Sequence, residues 1–162
     1  MSCDAAASAA FLFLTAFQGA PAPVVDRTPA VVTAPAANPL AREPLFADII
    51  RRAQALKSEV GAMKQGLKGT ASVDSLPRFA AFKAGVAQLS DLDMKGHLEL
   101  AARNADGDLK CILRGIAQDL PKKLEDMLAA KDVAARDLAL EEMDYLLVDN
   151  VEVIVAPPAP PV

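Results

Sequence analysis

Residues 44–69 read PLFADIIRRAQALKSEVGAMKQGLKG, and this stretch decides the fold class. Phe46, Ile49, Ala53, Leu56, Val60, Met63 and Leu67 recur at alternating spacings of three and four. On a helix of 3.6 residues per turn that alternation gathers them into one apolar stripe. Arg51, Arg52, Lys57, Lys64 and Lys68 fall between and just after them and make the helix basic. The segment is an amphipathic helix with a coiled-coil-like seam, and Phe46, Ile49, Leu56, Val60 and Met63 are the candidate interaction seam. Pro44 suits the first turn, where its missing N–H costs nothing, and Gly66 and Gly69 supply the stop.

Working outward from this helix, Pro77 opens a second segment in which Phe79, Phe82, Val86 and Leu89 repeat the three-four spacing. Ser90-Asp91-Leu92-Asp93 has the form of an N-cap with an acid at its third position, so a bend or break is expected near Ser90. Met94, Leu98, Ala101 and Ala105 continue the stripe into residues 104–108, NADGD, whose Asn, Asp and Gly favour a tight turn. Asp108 is placed to cap the next helix. Leu109, Ile112, Leu113, Ile116 and Leu120 form a third face, expected either to end near Pro121 or to hand over to a helix with Pro121 in its first turn. Leu124, Met127, Leu128, Ala135, Leu138, Tyr145 and Leu146 give a last long pattern to about Val148, with an interruption near Asp132. Residues 151–155, VEVIV, read as a short extended strip over the bundle. The expectation is an all-α fold, an up-down bundle of about four amphipathic helices over residues 45–150.

The flanks differ from this body. Residues 5–17, AAASAAFLFLTAF, are apolar over the length of a secretory h-region and too short to span a bilayer. Residues 1–20 are therefore read as signal-peptide-like and no transmembrane span is expected, although Asp4 stands where a basic residue is usual and Pro21 and Pro23 follow the small-residue cleavage contexts. Pro21, Pro23, Pro29, Pro35, Pro39 and Pro44 remove backbone donors at short intervals, so residues 21–44 read as a disordered, extended Pro/Ala-rich spacer. Residues 151–162 end in APPAPPV, a Pro-rich tail of the same kind.

Of the 162 residues, 17 are Lys or Arg and 21 Asp or Glu, a net charge of −4, with no dense basic cluster. That balance disfavours binding to nucleic acid. One His and two Cys cannot build a Cys-rich zinc site or a disulfide framework. Aromatic residues are only 4% of the chain, which leaves the core to aliphatic packing between helices.

His97 is the sole imidazole, and Asp93, four residues earlier, falls on the same helical face, where a carboxylate would favour the protonated ring. A surface His on a four-helix bundle resembles the layout of histidine phosphotransfer domains, which implies His97 as phosphoacceptor in a cytoplasmic phosphorelay. Those domains follow the reactive His with Lys and Gly about a turn later, whereas here Leu100 and Ala101 occupy that turn and Lys95 and Gly96 precede the His. Asp93, His97 and Cys111 could meet on a metal only if their helices paired face to face, and no supporting motif accompanies them. An EF-hand register on Gly107 would put Ala102 and Leu113 where its acids belong, so calcium is excluded. Cys111 beside an apolar face reads as a packed thiol, or in an exported protein as a site of intermolecular disulfide formation.

No nucleophile and base pair, metal set or cofactor motif is assembled by this inventory, so neither an enzyme nor a cofactor is expected. The leading expectation is a non-catalytic, exported helical protein, periplasmic or secreted, that binds a partner protein or serves as an envelope-associated structural module, with homo-oligomerisation open. The alternative is the cytoplasmic phosphotransfer domain using His97.

Overall fold

The computed structural model describes residues 38–67, 69, 72–104 and 107–156. The signal-like segment, the spacer up to residue 37 and the tail from residue 157 lie outside the described residues. A 3-10 turn, Pro39–Arg42, leads into four helices, α1 (Pro44–Gly66), α2 (Phe79–Ala102), α3 (Gly107–Ala129) and α4 (Val133–Val155). α1 and α3 each pack against both α2 and α4, which makes α1/α3 and α2/α4 the diagonals of a four-helix bundle. The architecture is all-α, with no strand among the described residues.

Each helix buries one three-four stripe. In α1 it is Phe46, Ile49, Ala53, Leu56, Val60 and Met63, so the five residues of the expected interaction seam line the bundle's own core. Any partner must therefore use another face. In α3 the stripe is Leu109, Leu113, Ile116, Leu120, Leu124 and Met127. Burying such side chains contributes about 25 cal/mol per Å² of apolar surface removed from water, and the seven-residue repeat lets neighbouring helices interdigitate. Glycines adjust the spacing at two crossings. A Cβ on Gly85 would stand 2.9 Å from Leu56 Cδ2, and one on Gly96 would meet Leu113, Ile49 and Phe46 at 3.2–3.4 Å.

Several expected boundaries move. α2 runs unbroken through Ser90, whose hydroxyl donates to the Ala117 carbonyl of α3 at 2.7 Å. α3 likewise continues through Pro121 to Ala129. The two facts have one cause. Proline 121 has no N–H to give the carbonyl four residues back, and that carbonyl belongs to Ala117. Ser90 supplies the missing donor from the neighbouring helix. Leu124, Met127 and Leu128 consequently belong to α3, and α4 begins after Asp132, whose side chain accepts from Ala135 N–H at 2.8 Å as an N-cap. Residues 151–155 complete α4 rather than form an extended strip, because Val153 and Ile154 continue its buried stripe. Pro39–Arg42 turns instead of extending, held by the Asn38 side chain accepting from Leu40 N–H.

Both ends of the bundle are tied. At one, Asn38 N–H donates to Val155 O at 3.1 Å, and Arg103 pairs with Glu43 and Glu99. At the other, the buried guanidinium of Arg136 donates to Leu67 O at 2.9 Å. Leu67 is the C-cap of α1, so a cation meets a helix terminus that carries unsatisfied carbonyls and partial negative charge.

Candidate functional site

His97 is half-buried in the groove between α2 and α3, where Nδ1 lies 2.7 Å from the Lys110 carbonyl. A carbonyl only accepts, so Nδ1 carries the proton and Nε2 is the remaining ring nitrogen. The contact lies seven residues along α2 from Ser90 and seven back along α3 from Ala117, and the two hydrogen bonds thus hold these helices in antiparallel register. Asp93 does not serve His97. It points into the core, fully buried, and the expected acid–imidazole pair is not formed. Cys111 is half-buried and disulfide-bonded within the chain, so it is neither the packed free thiol nor the intermolecular disulfide expected, while Cys3 lies outside the described residues. Among the described residues no group of three His, Cys, Asp or Glu side chains is placed to hold a metal.

Asp93 has a different partner. Asn150 Nδ2 of α4 donates to Asp93 Oδ2 of α2 at 2.8 Å, and both residues are fully buried. Since α2 and α4 are diagonal, this bond crosses the middle of the bundle. Asp93 Oδ1 and Asn150 Oδ1 have no other partner. Burial pushes the Asp93 carboxyl up to about 8, against the opposing pull of the Asn150 amide. The sequence carries the signal for this pair. Continuing Phe79, Phe82, Val86 and Leu89 at the same spacing reaches Asp93, Gly96 and Leu100, and continuing Leu140, Met143 and Leu147 reaches Asn150 and Ile154. Following apolar residues alone leads to Met94 instead, off the buried stripe.

Among the described residues the exposed large apolar side chains are Leu98 on α2 and Leu128, Val133, Leu138 and Tyr145 on α3 and α4. Leu138 and Tyr145, two turns apart on α4, are 59% and 72% exposed. Tyr145 and Leu146 line one hollow of about 390 Å³ with Asp119, Lys123, Glu141 and Glu142. Leu138 lines a second, of about 560 Å³, with Asp126, Asp132, Ala135 and Glu142. Glu142 belongs to both, and its 2.8 Å ion pair with Lys123 forms the sill between them. Lys123 also approaches Asp126 at 3.5 Å, and the hydrogen bond it donates to Glu142 is the main reason its ammonium is held above the usual lysine range. Glu141 is exposed and makes no ion pair among the described residues.

Charge is unevenly divided between the two halves of the bundle. Residues 107–155 carry six basic and eleven acidic side chains, a net −5, whereas residues 44–102 carry eight basic and six acidic, a net +2. The α3–α4 surface is thus an acidic, apolar-bottomed groove. No helix among the described residues is long and apolar enough to cross a membrane.

No family model, no curated protein and no solved structure matches this chain.

Proposed function

We propose that the protein is a non-catalytic helical module, exported to the periplasm or beyond, that binds a partner protein through the outer face of α3 and α4. The observation that carries this reading is the exposure of Leu138 and Tyr145 on one face of α4, beside hollows that the fold itself does not fill. Large apolar side chains grouped at helical spacing on a solvated surface cost solubility and mark interaction faces. A photo-crosslinking amino acid in place of Tyr145 in living cells should yield a discrete adduct that the same group in place of Lys57, on α1, does not. Identical adduct patterns from the two positions, or none from either, would sink the reading.

A second reading, phosphotransfer through His97, is favoured by one contact. The Nδ1–H bond to Lys110 O fixes the ring and leaves Nε2 as the nitrogen to be phosphorylated. It requires an acid-labile phosphate that disappears in His97→Ala, and phosphate retained by that variant eliminates it.

A further inference from the structure

Resting on the protein-binding reading, we infer that the α3–α4 groove receives a cationic amphipathic helix of a separate polypeptide, its apolar side chains on Leu138 and Tyr145 and its Lys or Arg residues against the flanking carboxylates. The groove extends along α3 from Asp119 to Ala129, about 15 Å at 1.5 Å per residue, or nearly three turns of a guest helix. Leu138 and Tyr145 lie two turns apart, which matches the i and i+7 anchors of a helix laid in a groove. Asp119, Asp126, Asp132, Glu141 and Glu142 line the two hollows against Lys123 and Lys131. With Asp119 paired to Lys122 at 2.8 Å and Glu142 to Lys123, Glu141 at the rim keeps the excess charge negative. That excess selects the sign of the guest.

Two other occupants fit less well. A second copy could offer only its α1–α2 half, whose net charge is +2 and whose Arg51 and Arg52 are paired with Asp48 and Arg78 with Glu59. An anionic lipid surface is repelled by a half-bundle of net −5. Complementary charge on a guest helix would speed encounter and make binding sensitive to salt.

The test is a display library of fourteen-residue helical peptides with randomised apolar and charged positions, selected on the immobilised full chain. The expected pool has apolar residues at i, i+3 or i+4 and i+7 with net positive charge. A member of that pool should bind about tenfold more weakly when NaCl is raised from about 50 to about 500 mM. Leu138→Asp should weaken it at least about tenfold and Glu141→Lys about threefold, with helical circular dichroism and thermal midpoint unchanged because both sites are exposed. Enrichment of acidic or non-periodic peptides overturns the inference. Cationic peptides that bind both variants as tightly as the parent overturn the site while leaving the protein-binding reading in place. A dimer that Leu138→Asp dissolves and that excludes the peptides replaces the guest helix with a second copy. An unenriched library removes both readings.

Discussion

At Asp93, removal from water outweighs the single hydrogen bond from Asn150, and the carboxyl holds its proton until about pH 8. Ionisation would leave Asp93 Oδ1 a buried, charged acceptor without a donor. The folded pKa lies above the ordinary 3.8, so the native state binds the extra proton between those values. Its stabilising contribution is complete below about pH 4 and is lost as pH rises through about 8, with a slope on the order of 1.4 kcal/mol per pH unit in between. Urea midpoints measured from pH 5 to 9 should fall with rising pH, and Asp93→Asn should flatten that fall, because an amide is uncharged at every pH. Equal slopes in parent and variant would show that Asp93 is ionised in the fold. Arg136 is a further buried polar residue with a defined task. Arg136→Met keeps most of the volume but strips Leu67 O of its donor, and should cost about 1.5–3 kcal/mol in urea unfolding.

Elements follow from stripes, except where a side chain on another helix changes what a local signal means. Pro121 is a helix breaker by any local rule, yet α3 passes through it because Ser90 satisfies the orphaned Ala117 carbonyl. The two residues should therefore be coupled. Ser90→Ala should cost about 1–2 kcal/mol in the parent and less than about 0.5 in a Pro121→Ala background, where the restored N–H reaches Ala117 O. A double-mutant cycle with no coupling energy would refute that account. Asp132, by contrast, was legible as an interruption, since an N-cap acts within its own turn. Residues 151–155 were not, because β-branched side chains read as extended until α4 is seen to carry them into the core.

For the whole molecule, the closed ring of helices puts the charge of α3 and α4 on one side and leaves their outer groove open to a partner. The export proposal is tested by the intact mass of the protein from fractionated cells. Loss of about the first twenty residues in an envelope fraction, which takes Cys3 and leaves Cys111 the sole cysteine, is the expected outcome, and a full-length cytoplasmic species would refute it and turn attention to His97. Sequence by itself determined the class of fold, the number of helices and the buried stripes of α1, of α3 and of the first half of α2, where apolar residues alternate at three and four. In α4 its pattern of Ala135, Leu138, Tyr145 and Leu146 misses the buried stripe, which is Ala139, Leu140, Met143, Leu147, Val153 and Ile154. Only the tertiary structure decided that the α1 seam faces inward, that Asp93 answers to Asn150 and not to His97, that Ser90 licenses Pro121, and that Leu138 and Tyr145 stay outside. Each of those depends on which helix stands opposite, and periodicity along one chain segment carries no record of its neighbour.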